Sequence, residues 1–127
     1  MQDGTVGILS GDRVFLNVGT HAAIPDIPGL KAARPLTHIE ALELDRIPEH
    51  LVVLGGGFVG LELAQAMRRF GSRVTVLERE TQLAGREDGD VAEAILQLFR
   101  EDGIEVLLGT DLVQVEGLSG QGIRKTL

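Results

Sequence analysis

Six consecutive residues, Gly55, Gly56, Gly57, Phe58, Val59 and Gly60, fit the spacing G-x-G-x-x-G, and Glu78 follows the first of them by 78 − 55 = 23 positions. Each residue type has a physical use in that pattern. Gly55 allows a tight turn out of a strand. Gly57 has no side chain, so a phosphate can approach the backbone, and Gly60 lets the following helix pack closely on the strand. The start of that helix offers free N–H groups and a partial positive charge to an anion. Glu78 can accept hydrogen bonds from the hydroxyls of an adenosine ribose. The chemistry indicated is the grip on a dinucleotide. A 2′-phosphate would meet the Glu78 carboxylate, which favours NAD over NADP. Arg79 and Arg86 keep the other preference open, because guanidinium groups there could hold that phosphate. A glycine-rich turn alone is weak evidence. It gains weight when a buried strand precedes it, a helix follows, and an acidic residue stands about 20 positions on.

The elements that must position these residues can be read from the same sequence. Residues 51–54 form a continuous apolar run, as expected of a strand buried on both faces. Residues 59–70 read as a helix closed by Gly71, and residues 73–77 as the next strand. Asp88 or Asp90 can cap a helix running to about Asp102, with Val91, Ala94, Ile95, Leu98 and Phe99 on its apolar face. Gly103 closes it, and residues 104–108 read as a third strand. Strands alternating with helices imply an α/β fold, Rossmann-like, with parallel strands, right-handed crossovers and helices on both faces. Residues 112–115 and 123–126 add a small antiparallel excursion. Upstream, Thr37 and Glu40 fit a capping box opening a short helix to about Leu44. Residues 19–36, with Pro25, Pro28 and Pro35, read as an extended linker. Residues 1–20 read as hairpin material, with an apolar run at 6–9, a turn at Gly11-Asp12 and a strand at 13–18.

Composition removes several functional classes. The 127 residues carry a net charge of −7, which argues against a nucleic-acid partner. The longest uncharged apolar run, 51–61, is interrupted by glycines and falls short of the roughly 20 apolar residues that span a bilayer. No membrane partner is expected, and the N-terminus lacks the basic region of a signal peptide. The cytoplasm is the expected location. There are no cysteines, so these residues offer no disulfide, thiolate metal site or redox dithiol. His21, His38 and His50 lack metal-ligand spacing and read as surface or hydrogen-bonded histidines. No metal site is expected. Glu78, Arg79, Glu80, Arg86, Glu87 and Asp88 read as a solvated mixed-charge loop apart from the nucleotide contacts.

The stretch Gly55-Gly56-Gly57-Phe58-Val59-Gly60-Leu61-Glu62-Leu63-Ala64 resembles the nicotinamide-dinucleotide fingerprint of the pyridine nucleotide-disulfide oxidoreductases, the family of glutathione reductase, dihydrolipoamide dehydrogenase and mercuric reductase. Ile24-Pro25-Asp26-Ile27-Pro28-Gly29 is similar to that family's segment leaving its FAD domain, and residues 37–48 are similar to its connecting helix. The resemblance implies that 1–36 is the end of an FAD domain with its linker, and that 37–127 is an NAD(P)-binding domain. It implies that Phe58 lies over the nicotinamide pocket and that Glu62 stands near nicotinamide and flavin. The implied enzyme passes hydride from NAD(P)H to FAD, then electrons to a disulfide or similar acceptor.

This sequence departs from the family pattern. The FAD fingerprint, the redox cysteine pair and the dimerisation domain with its His-Glu couple are not in these residues, so they carry no catalytic residue and should be inactive alone. FAD is expected in a parent enzyme rather than on these residues. The sequence stops at Leu127, where the family continues into another parallel strand, so the domain reads as truncated. Residues 13–19 resemble that closing strand, which suggests that 14–18 pairs beside 51–54. The strand edge filled could be in the same molecule or a neighbour's, and a vacant edge also offers a route to a homodimer. A standalone regulatory or redox-sensing dinucleotide module is the alternative. A methyltransferase is weaker, because the I-P-G segment and the Gly-Leu-Glu helix start argue against it.

Overall fold

The computed structural model describes residues 6–127. The elements run α1 (His38–Leu42), β1 (His50–Leu54), α2 (Phe58–Arg69), β2 (Arg73–Leu77), α3 (Gly89–Glu101), β3 (Glu105–Leu107), β4 (Gln114–Leu118) and β5 (Gly122–Thr126). Strands β1, β2 and β3 form a parallel sheet in that spatial order, with Val53 opposite Val76 and Val76 opposite Val106. Strands β4 and β5 pair antiparallel as a separate ribbon. The fold class is therefore the expected one, a Rossmann-type α/β unit with a small antiparallel excursion.

Strand residues alternate between faces, and the core shows which face is dry. Leu51, Val53, Val74, Val76 and Val106 share one face. They pack with Leu61, Ala64 and Met67 of α2, with Leu96 and Phe99 of α3, and with Leu83 and Ala84 of the loop between β2 and α3. Both long helices thus cover the same face, not both faces. The cause is geometric: two crossovers of the same hand, each stepping toward β3, lay their helices on the same side.

The opposite face carries a polar chain across all three strands. Thr75, 1% exposed, donates to Glu105 Oε2 at 2.7 Å and lies 2.9 Å from His50 Nε2. Because the Thr75 proton is committed to Glu105, His50 Nε2–H is the donor to Thr75. That leaves His50 Nδ1 to accept from Arg73 Nη2 at 3.0 Å. This fixes a neutral imidazole with the proton on Nε2. Burial holds the His50 pKa below its ordinary value. Arg73 and Lys125 lower it further, against the opposing pull of Glu105 and Glu49.

Several expectations are corrected. Of the proposed hairpin, residues 1–5 lie outside the described residues, and residues 6–20 form no strand. Val14, Phe15, Leu16 and Val18 are between 74% and 91% exposed, and among the described residues β1 pairs only with β2. Residues 14–18 therefore do not fill the edge beside β1, whose residues are half-buried for most of its length. A lone apolar stretch gains strand geometry only when a partner supplies hydrogen bonds and cover. Residues 19–36 are not wholly extended. Residues 28–33 turn, and Leu30 and Ala33 bury themselves against Val115 of β4. This cluster joins residues on both sides of position 36. The buried stripe of α3 is Ala92, Leu96 and Phe99, while Val91 and Leu98 are exposed. Asp88 is the N-cap of α3, although its side chain makes no capping bond. The capping box of α1 is present, with Glu40 accepting from the Thr37 backbone at 2.8 Å, and the helix ends at Leu42.

Candidate dinucleotide-binding site

Parallel strands deliver all their C-terminal ends to one side, and there the glycine turn meets the loop that follows β2. Gly55 leaves β1 with φ +97°, a conformation that side chains oppose. Its N–H donates to Leu77 O at 2.8 Å, tying the turn to the end of β2. Gly56 is buried. Its N–H donates to Glu78 Oε2 at 2.5 Å, and its carbonyl accepts from the Ala84 N–H at 2.8 Å. Gly57 is the N-cap of α2, and no side chain caps that end. A Cβ placed on Gly57 would meet nothing within 4 Å, whereas one on Gly60 would lie 3.0 Å from Gly55 O and 3.1 Å from Val53 Cγ1. Gly57 leaves room for an approaching group, and Gly60 lets α2 seat against β1.

The turn and the loop enclose a cleft of about 330 Å³, lined by Gly56, Gly57, Phe58, Glu78, Glu80, Gln82, Ala84, Gly85 and Arg86. Five of the residues singled out from the sequence line it together: Gly56, Gly57, Phe58, Glu78 and Arg86. Phe58 is 53% exposed. Glu62, one helical turn further along α2, is also exposed and shares that side of the helix. Gly55, Val59, Gly60, Glu62 and Arg79 do not line the cleft. Gly55 and Gly60 shape its backbone. Arg79 points its Nε to Glu80 Oε1 at 3.2 Å, both side chains being largely exposed.

Sequence reasoning missed Glu80, Gln82, Ala84 and Gly85, because the charges on either side of 81–85 read as a solvated loop and 81–85 have no role in that reading. The overlooked signal was the uncharged pair Leu83-Ala84 amid charges. Leu83 is fully buried and Ala84 is 2% exposed, so this part of the loop belongs to the core.

A second cleft, about 290 Å³, lies among Glu49, Arg68, Gly71, Arg73 and Gly103. Its arginines already have partners. Arg68 donates to Asp102 O at 2.8 Å and Arg73 to His50. Among the described residues, no group of three or more His, Asp or Glu could hold a metal, and no helix is long and apolar enough to cross a membrane.

Sheet, turn and strand-end carboxylate define a Rossmann-type unit of the kind found in flavoprotein reductases. The profile of the pyridine nucleotide-disulphide oxidoreductases matches residues 2–126, and the chain belongs to that family. It is 43% identical over 121 residues to a mercuric reductase of Serratia marcescens, covering 95% of this chain and 26% of that protein. Among solved structures it is similar to the HOCl-induced flavoprotein disulfide reductase RclA from Escherichia coli, with a TM-score of 0.76 at 30% identity over 87% of this chain and 25% of that one. It is also similar to the water-forming NADH oxidase from Lactobacillus brevis bound to NADH, with a TM-score of 0.72 at 27% identity over 85% of this chain and 25% of that one. The chain spans about a quarter of the length of these relatives.

Proposed function

We propose that this chain is the NAD(P)H-holding part of an FAD-dependent oxidoreductase, one that passes hydride from NAD(P)H to FAD and electrons onward to a disulfide or similar acceptor. The carrying observation is the pairing of an open Gly57 at an uncapped helix start with the Glu78 carboxylate across the same cleft. The first suits a pyrophosphate and the second a ribose. In this reading residues 37–127 bind the nucleotide, and residues 1–36 lead in from the flavin side. The dinucleotide supplies the hydride; the residues here bind and orient it. Gly57 and the first turn of α2 hold the pyrophosphate, and Glu78 accepts from the adenosine ribose. Phe58 and Glu62, on the outward side of α2, face the nicotinamide and flavin. Without cysteines, the chain leaves disulfide chemistry and FAD binding to other residues, and alone it is inactive.

Two carboxylates, Glu78 and Glu80, line the cleft against a single cation, Arg86. The site therefore favours NADH over NADPH. Calorimetric titration with both nucleotides tests this. NADH should bind at least about tenfold more tightly, since a hydrogen bond to a charged group contributes about 1.5–3 kcal/mol, and Glu78→Ala should weaken NADH binding. An absence of binding to either nucleotide overturns the reading.

A further inference from the structure

We infer that Glu78 also acts on the protein itself. Together with the Leu83-Ala84 turn it clasps Gly56 and so sets the shape of the phosphate-binding turn, independently of the ribose. This rests on the proposal that the turn grips a pyrophosphate. Gly56 is held on three sides. Its N–H is bound by Glu78 Oε2 and its carbonyl by the Ala84 N–H. Its α-carbon is covered by the fully buried Leu83, whose Cδ2 would lie 2.7 Å from a Cβ built there. The clasp is itself anchored. Glu78 Oε1 accepts from the Glu80 N–H at 2.8 Å, and Ala84 O accepts from the Glu87 N–H at 2.8 Å. Ala84 adopts φ +48° while buried, a conformation that persists in a non-glycine residue only where the surroundings enforce it.

Fixing the Gly56 peptide matters because the next residue, Gly57, has open space where a side chain would stand and is anchored through its carbonyl, which accepts from the Leu61 N–H at 3.0 Å. Without the clasp, the Gly56 peptide, flanked by two other glycines, would lose the bonds that orient it against the first turn of α2. A carboxylate can fill both roles at once. Two oxygens carry about four acceptor positions; two are used by Gly56 and Glu80, leaving two for ribose hydroxyls. An amide cannot, because its NH2 would face one of the two backbone donors.

Two readouts separate the clasp from ribose binding. The first is amide hydrogen exchange of Gly56 in the nucleotide-free chain. Glu78→Ala should speed exchange at Gly56 about tenfold or more beyond any change at Val74 and Val76. The second is binding of NADH and of its analogue lacking the adenosine 2′-hydroxyl. Glu78→Ala should weaken the deoxy analogue several-fold as well. Leu83→Val, which touches no ribose position, should weaken both nucleotides equally. If Glu78→Ala leaves Gly56 protected, or leaves binding of the deoxy analogue unchanged, Glu78 serves the ribose alone and the clasp is refuted. Should the unaltered chain bind neither nucleotide, the proposed function falls, while the Gly56 exchange rate still decides the clasp.

Discussion

Gly29→Ala should detach residues 25–33 from the β4–β5 ribbon while leaving the main core folded. Gly29 has φ +79°, and a Cβ there would stand 1.9 Å from the Val115 carbonyl oxygen and 3.1 Å from its carbon. Ordinary carbon contacts begin near 3.5 Å, so the two backbones would have to part by about 1.5 Å. Neither partner is a flexible side-chain end. The left-handed conformation adds about 1–2 kcal/mol for any residue with a Cβ. The docked state gains from burying Leu30 (4% exposed) and Val115 (5% exposed), about 1.5–3 kcal/mol each. It also gains two backbone bonds, Val115 N–H to Pro28 O at 3.0 Å and Ser119 N–H to Ala33 O at 2.9 Å. A separation of about 1.5 Å breaks the first bond and opens the small cluster, so the loss matches the gain and docking fails. Amide exchange is the assay. Val115 and Ser119 should lose protection by about a hundredfold, the equivalent of roughly 3 kcal/mol. Val74 and Val76, in the separate main cluster, should keep theirs. Unchanged protection at Val115 would refute the steric reasoning. Collapse of Val76 protection as well would refute the independence of the two clusters.

Two further perturbations test the sheet. His50 has a folded-state pKa below its unfolded value, so the folded chain binds fewer protons than the unfolded chain between the two values. Its contribution is fully present above about pH 6.5 and is lost as pH falls through that window. Urea denaturation at several pH values should show His50→Gln losing part of the acid-side slope of the unaltered chain; identical slopes would count against the Arg73–His50–Thr75–Glu105 chain. Gly60→Val should push α2 off β1, because even a Cβ would press on Gly55 O at 3.0 Å, costing about 1–3 kcal/mol in overpacking. Melting temperature and NADH affinity should fall together, and a variant that keeps both would show that α2 has slack the packing does not suggest.

The sequence revealed most where local chemistry was decisive. Residues 73–77 match β2 end for end, because a charged entry, an apolar run and a closing acid leave few alternatives. Thr37 and Glu40 satisfy each other within four residues, so their cap needed no tertiary context. The failures share a dependence on distant partners. Residues 13–18 look like a strand, but among the described residues nothing pairs with them. Gly29 turns its segment onto Val115, 86 positions later in the chain, a contact no local pattern encodes. In α3 the helical period was right and the expected face was partly right: Phe99 is buried and Ile95 packs on the core, whereas Ala92 and Leu96 are buried in place of Val91, Ala94 and Leu98. Only the position of the sheet chooses between the two sets. The lining of the cleft was hidden for a related reason, because Leu83 and Ala84 belong to the core although their neighbours are charged.

That placement of Leu83 and Ala84 bears on how nucleotide preference could change in such a site. In the proposed binding mode the loop after β2 supplies the groups nearest a ribose 2′ position, and the same loop makes the bonds that hold the glycine turn. Glu78 would serve both, since it already binds the Gly56 and Glu80 N–H groups. Removing it to admit a 2′-phosphate would loosen the grip on the pyrophosphate, which both nucleotides need. Arg79 is committed to Glu80 at 3.2 Å, whereas Arg86 already lines the cleft and has no place in the clasp. A shift toward NADPH at little cost to the turn therefore runs through Glu80, whose side chain can change while its backbone N–H still binds Glu78. Changing Glu80 in that way removes a carboxylate from the cleft, frees Arg79 of its partner and leaves the Gly56 clasp intact.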